Sequence, residues 1–501
     1  MSAPTLLVRN CEAVRMADVP ELGEVEFRDA LISETAEGSR VSALFGSPAG
    51  REGATRLFAA LARDGDGTLC LFTTVVGRAF RSITPDSPQV HLFEREIAED
   101  FGVEPVGHPW MKPVRFPQRR FDGTPLPDSA PGVTGYFRVA GEEVHEVAVG
   151  PVHAGIIEPG HFRFQCHGED VYHLEISLGS LHRGIERALV GGPAARTLHY
   201  METLAGDTTV GHATAYCQAV EALSGTAAPP RAMALRGLAL ELERLANHAG
   251  DLGALAGDVG YLPTQSYCGR IRGDFLNATA LLCGNRFGRG LVVPGGTGFD
   301  ADRARASDLA KRLASAGRDV SGAVRLLWET PSVLARFEDA GRVPIEVCKA
   351  LGLVGPAARA SGVDIDVRRD FPSGIYRFSQ VPVATWTTGD VFARAFVRWL
   401  EIERSLRFAR ETASSLPEGH LAASSGGLAP ERLTVSLVEG WRGEICHVAV
   451  TDGAGRFDRY KVVDPSFHNW AGLAAALRGQ QISDFPLCNK SFDLSYCGHD
   501  L

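Results

Sequence analysis

Phe116-Pro-Gln-Arg-Arg-Phe-Asp-Gly-Thr-Pro-Leu-Pro-Asp-Ser-Ala-Pro-Gly132 divides the chain. Proline and glycine at this density favour an extended arm over a helix or a central strand, so residues 116–141 read as a linker. On its N-terminal side, residues 1–115 read as a small α/β unit. Thr68-Leu-Cys-Leu-Phe-Thr-Thr-Val-Val76 has strand composition, and Thr55-Arg-Leu-Phe-Ala-Ala-Leu-Ala-Arg63 carries apolar residues at helical spacing. On its C-terminal side, residues 142–501 read as a large, mainly helical domain closed by a small β element. Arg231–Gly250 and Asp302–Glu329 have helical periodicity, and Asp390 is placed to cap a helix over Val391–Ala413. Leu433–Val438, Ile445–Val450 and Asp458–Val463 read as strands, with a hairpin turn at Asp452-Gly-Ala-Gly455. The expected fold class is α+β.

Composition narrows the function. A net charge of −9 with no Lys/Arg block argues against nucleic acid as a partner. Apolar runs such as Leu276–Cys283 are too short to span a bilayer, which takes about 20 residues. The stretch from Met1 to Arg9 lacks the basic start and apolar core of a signal peptide. The expected location is therefore cytoplasmic, with any membrane association made through partners. Ten scattered cysteines form no C-x-x-C pair, so this chain is not expected to hold an iron–sulfur cluster by itself. Val293-Pro-Gly-Gly-Thr-Gly298 reads as a tight turn between helices, and no dinucleotide, P-loop or nucleophile-elbow fingerprint occurs.

Histidine is unevenly spread: His145, His153, His161, His167, His173 and His182 crowd one segment, with Glu158 between them. Imidazole beside carboxylate is a proton-handling set near neutral pH. A zinc site and plain histidine-rich surface loops are the competing readings, and composition leaves the three open.

Longer motifs carry a resemblance. Phe93-Glu-Arg-Glu-Ile-Ala-Glu-Asp-Phe-Gly-Val-Glu-Pro-Val-Gly-His-Pro109 resembles the signature of the 30 kDa subunit of complex I, with Glu99 where that family has an aspartate. Residues 150–501 resemble the 49 kDa subunit of complex I and the large subunits of membrane-bound nickel–iron hydrogenases. The matching pieces are Gly150-Pro-Val-His153, Leu181-His-Arg-Gly-Ile-Glu186, Ala215–Glu221, Asp258-Val-Gly260, Arg359–Arg368, Arg442-Gly-Glu444 and Asp464–Asn469. Such fusions are typical of formate hydrogenlyase and hydrogenase-4 large subunits, and the pattern here resembles the cysteine-less "energy-converting hydrogenase-related" type.

That resemblance implies a subunit of a membrane-associated redox complex, in which electrons pass from a [4Fe–4S] cluster on a small partner subunit to a quinone-like acceptor, coupled to proton transfer. A ferredoxin-like subunit and antiporter-like membrane subunits are the other implied partners, and NAD would be handled only by other subunits. A formate hydrogenlyase or hydrogenase subunit and a degenerate scaffold are the alternatives. Proton roles are implied for Asp258, Glu158, His161 and His153, with His153, His161, Arg183, Glu186 and Arg442 lining the cavity. The tail Asp484–Leu501 is expected to run inward beside it. Two departures stand out. Nickel needs soft thiolates, and the cysteine places fall on Ala205, Thr208, Ser466 and Asn469, so no nickel–iron centre is expected. The places of the quinone-binding tyrosine and histidine fall on Gly206 and Ile157.

Overall fold

The computed structural model describes residues 4–51, 53–127, 129–153 and 157–501. The first residues of the N-terminal stretch, Asp128 in the arm, and Ala154, Gly155 and Ile156 in the histidine-rich segment lie outside them.

The N-terminal part forms a five-stranded sheet in the order Leu6–Val8, Thr68–Val76, Thr55–Arg63, Arg40–Pro48, with Glu21–Leu22 pairing parallel to Thr68–Val76. Thr68–Val76 is the strand expected. Thr55–Arg63 corrects the helical reading: it is a strand paired on both sides. Its middle is buried without alternation. A strand covered on both faces shows a continuous apolar run, which periodicity alone does not distinguish from a buried helix. The covers belong to one apolar cluster that joins Phe27, Phe45 and Phe72 to Val435, Leu437, Val448 and Phe467 of the C-terminal part.

The two ends of the chain also share a sheet. Arg432–Gly440, Gly443–Thr451 and Phe457–Val463 form the expected meander, and Ala13–Arg15 adds to its edge. The helices Pro230–Asp258, Leu262–Cys283, Arg303–Trp328 and Val391–Ser414 pack into a bundle around the largest core cluster. Asp302 and Asp390 cap two of these, accepting from Arg305 N and Ala393 N. Residues 144–177 depart from the mainly helical reading: Val144–Val149, His161–His167 and Asp170–Ser177 form a three-stranded antiparallel sheet. Val293–Gly298 makes the tight turn, as a short hairpin between helices. A side chain at Gly296 would lie 2.0 Å from the Leu421 carbonyl, so no larger residue fits there.

The signature helix His91–Phe101 ties the parts together, and its charged side chains are mostly buried. Glu94 accepts from the Ser82 and Thr84 hydroxyls at 2.6 Å. Glu99 accepts from the backbone N–H of Arg115 at 3.0 Å and of Phe116 at 2.8 Å, so the atypical residue still performs a bracing role at the start of the arm. Glu96 pairs with Arg115 and, at 2.5 Å, with Lys461. Glu186 joins the same cluster through Arg459 at 2.7 Å and Lys461 at 3.1 Å. Burial and the neighbouring Glu96 push Asp100, also in this cluster, up to about 7. Three carboxylates this close resemble a metal cage, but Arg115, Arg459 and Lys461 already supply the compensating charge.

Removing one partner from a buried ion pair leaves the other charge uncompensated, at about 3–5 kcal/mol. Lys461→Met is expected to destabilise the chain by that order in denaturant titration, and adding Glu96→Gln is expected to recover part of the loss.

Candidate functional site

The loop Ala205–Thr208 precedes the helix Thr209–Ser224. The first N–H groups of any helix lack intrahelical acceptors, and here Glu243 reaches across to accept from Val210 N at 2.7 Å and Gly211 N at 3.1 Å. Burial pushes Glu243 up to about 8, against the pull of those two bonds. Next to it, Asp207 forms a bidentate pair with Arg442, at 2.6 and 2.8 Å. Arg442 sits on the two-residue turn Trp441-Arg442 between two strands, its guanidinium 3.9 Å from the Trp441 ring centre. Burial works to raise Asp207, but the Arg442 charge outweighs it and holds the carboxyl below the usual range. Trp441 Nε1 donates at 3.1 Å to both Asp207 O and the Thr208 hydroxyl.

The C-terminal tail closes the opposite side, as expected, and it does so as an inserted plug. Asp500 accepts from Gly179 N and Leu181 N, and the Leu501 carbonyl accepts from Arg183 N at 2.8 Å. Arg183 in turn bridges the carbonyls of Thr203, Leu204 and Cys497. Glu158 accepts from Tyr496 N at 3.1 Å and Cys497 N at 3.4 Å. The Cys497 thiol faces the Gly206 N–H, and burial raises it to about 11. Gly206 itself is exposed, and a Cβ built there meets nothing within 4 Å. Gly206 is thus a solvent-exposed opening in the surface, with Asp207 next to it and Arg183, Glu158 and Cys497 linked to it through the tail. Behind it runs a buried chain: Asp464 to His212 at 3.0 Å, His212 to His447 at 3.1 Å, His447 to the Tyr460 hydroxyl at 2.9 Å. Burial, then the neighbouring His212, hold His447 neutral.

Of the residues expected here, Glu158, Arg183 and Arg442 do assemble around the loop. The others are placed elsewhere. His153 Nε2 donates to the Gly160 carbonyl of its own hairpin at 2.8 Å. His161 is buried, 3.2 Å from Gly150 O and stacked at a tilt on Tyr136 of the arm. Glu186 belongs to the Lys461 cluster, where internal charge compensation holds it, and is not a cavity wall. Asp258 pairs with Lys490. Asn247 of the same helix touches Asp207 O at 2.9 Å, and Asp258 follows eleven residues later, about 16 Å along the axis. His145, His167, His173 and His182 have separate surroundings: His167 meets Glu143, His173 the Phe137 ring, and His182 the Asp500 carbonyl. Neither a shared proton site nor a zinc site forms from them among the described residues.

The donor set does not fit nickel. Ala205 offers a buried methyl group, and the Thr208 hydroxyl is engaged by Asp207 and Trp441. Ser466 Oγ accepts from Ser495 N, and Asn469 is spent on both backbone groups of Val354. Ser466 holds the tail segment that carries Cys497, whose thiol faces the Gly206 N–H. Sequence reading missed Asp207, His212, Glu243, Asp464 and Cys497. A local signal existed for Asp207 and His212, which flank the cysteine places at Ala205 and Thr208, and for Asp464, which opens the motif Asp464–Asn469.

Arg442→Ala removes the partner of Asp207, whose side chain is 33% exposed, so the cost falls below the ~3 kcal/mol of a fully buried broken pair. Amide hydrogen exchange is expected to accelerate over residues 203–212 in that variant, with the helix Arg303–Trp328 unchanged.

Residues 44–134 match the family model of the 30 kDa subunit of respiratory-chain NADH dehydrogenase. Residues 258–430 and 423–500 match that of its 49 kDa subunit. The chain is 31% identical to the carbon monoxide-induced hydrogenase of Rhodospirillum rubrum over 350 residues, covering 70% of this chain and 97% of that protein. It is 29% identical to formate hydrogenlyase subunit 5 of Escherichia coli over 86% of this chain and 79% of the relative. It is 30% identical to NADH-quinone oxidoreductase subunit 4 of Thermus thermophilus over 70% and 92% respectively. With both family models matched in order along one polypeptide, the chain belongs to the family of the 49 kDa subunit of respiratory-chain NADH dehydrogenase and its hydrogenase relatives, with a 30 kDa-type segment fused ahead of it.

Proposed function

We propose that this chain is the large subunit of a membrane-associated oxidoreductase complex that passes electrons from a neighbouring iron–sulfur subunit to a quinone-like acceptor without a nickel–iron centre. One observation carries the reading: each place for a nickel thiolate is filled by a methyl group or by a polar group spent on structure, while ionisable groups gather near Gly206. Reducing a quinone to a quinol takes two electrons and two protons. The electrons come from the partner's [4Fe–4S] cluster. Glu158 on the rim is placed to relay both protons to the acceptor oxygens, taking each up before passing it on, and Glu243, raised to about 8, can hold a proton near neutral pH to resupply the loop. Arg442 keeps Asp207 ionised, and the charge-balanced pair fixes the loop beside the opening.

No helix is long and apolar enough to cross a membrane among the described residues. Attachment at the cytoplasmic face is therefore assigned to partners, with a ferredoxin-like subunit and antiporter-like membrane subunits completing the complex. A scaffold role is the second reading, favoured by the way His153, His161 and Asp258 are tied to local partners.

Metal and cofactor analysis of the native complex, purified through a tag on this chain, tests the reading. Iron and sulfide with bound quinone and no nickel are expected; stoichiometric nickel overturns it. Glu158→Gln is expected to lower acceptor-dependent turnover about 10²-fold with assembly intact, as for loss of a general acid. Unchanged turnover in that variant establishes the scaffold instead.

A further inference from the structure

A second cavity, of about 260 Å³, lies between the helices Thr209–Ser224 and Pro230–Asp258, the short turn Gly374–Arg377 and the strand Arg432–Gly440. It is a separate space from the Gly206 opening: its wall on the first helix runs from Thr214, about 8 Å along the axis from Thr209, to Ala222, about 20 Å along it. Nothing in the proposed electron or proton transfer uses it.

Three features mark it as built to be filled. Its walls are mainly apolar, supplied by Met233, Leu240, Ile375, Val438 and the 79% exposed Phe378 at the rim. Thr214, 2% exposed, lines it, and its hydroxyl has no hydrogen-bond partner among the described residues. A buried polar atom left unpaired costs free energy, and a ligand oxygen would recover it. Third, Cys11 is held on the wall at φ 61°, a left-handed conformation unfavourable to a residue with a Cβ. The thiol lies 3.5 Å from Gln218 Oε1 and 3.7 Å from Ser436 Oγ, so the strained turn presents a polar edge beside an apolar space.

Size and charge define the occupant. A cavity of about 150 Å³ holds benzene, and drug-sized ligands take about 300 Å³ or more. At about 260 Å³ the space suits one ring with a short substituent. The buried charges on its walls are already paired: Glu221 with Arg236 at 2.5 Å, Arg368 with Asp366 at 2.6 Å and with Glu241 at 3.2 Å. A charged ligand would find no unpaired buried counter-charge among these, only the exposed Arg377 at the rim. We infer that this cavity is a binding site for a neutral single-ring molecule bearing a hydroxyl group, which hydrogen-bonds to Thr214 while the ring packs on the apolar walls.

The test titrates the full-length chain with 4-ethylphenol and with ethylbenzene, followed by calorimetry and ligand-observed NMR. Saturable binding of 4-ethylphenol is expected, abolished by Ala222→Trp, a substitution at a half-buried position that fills the cavity. Thr214→Val, close to isosteric, is expected to weaken 4-ethylphenol three- to tenfold, the range for one neutral hydrogen bond, and to leave ethylbenzene unchanged. Absence of saturable binding, or binding that survives Ala222→Trp, overturns the inference. Should Ala222→Trp fail to fold, Thr214→Val decides: equal affinities of 4-ethylphenol for it and the parent overturn the assignment. Acceptor-dependent turnover is read in parallel, because loss of this site leaves the Gly206 opening intact.

Discussion

Lys461 buries its ammonium completely on a strand of the C-terminal meander, and charge at that depth has to be compensated in place. Glu96 from the signature helix and Glu186 from the opposite side supply that compensation, with Arg115 and Arg459 balancing the remaining carboxylates. The signature helix, the root of the proline-rich arm and the C-terminal sheet therefore have to meet at one point. Once they do, Phe93 packs on Phe467 and the apolar residues of the N-terminal sheet close against Val435 and Val448. The arm, anchored through Glu99, then runs on to Tyr136, which stacks on His161.

The same logic of compensated burial continues into the helical part. Arg359 is enclosed by Glu401 at 2.6 Å and Glu439 at 2.8 Å, and Glu401 also takes His248 at 2.8 Å. Arg398 pairs with Asp251 at 2.7 Å and binds the Phe492 carbonyl, which anchors the tail where it turns toward the loop at Gly206. Burial, then Asp493, push Asp251 upward, against the pull of Arg398. Replacing such networks with apolar residues is often neutral for stability. Their value here is placement: Arg442, Glu158 and the tail converge because each is fixed by a partner with no alternative.

Legibility in the sequence followed the distance over which each signal acts. The helices at Arg231–Gly250, Asp302–Glu329 and Val391–Ala413 were readable because amphipathic period and an aspartate cap are local properties. The meander from Arg432 to Val463 was readable for the same reason. Thr55–Arg63 was not, because its pattern is set by covers that come from opposite ends of the chain. Strands at 144–177 were masked by histidine and charge on exposed faces, whose burial alternates only once their neighbours are known.

The sequence by itself determined the family and the order of the two fused segments, and it raised the expectation that no nickel is held, since these depend on which side chains occupy ordered motifs and a methyl or hydroxyl group does not become a thiolate. Tertiary structure alone decided which ionisable groups share a site. Glu158 and Arg442 are far apart in sequence, yet the inserted tail brings both to the Gly206 opening. His153 and Asp258, chosen from the same motifs, are held away from it by a hairpin carbonyl and by Lys490. Proximity of buried charge is fixed by which partners are available when the chain packs, and that information is distributed over the whole fold.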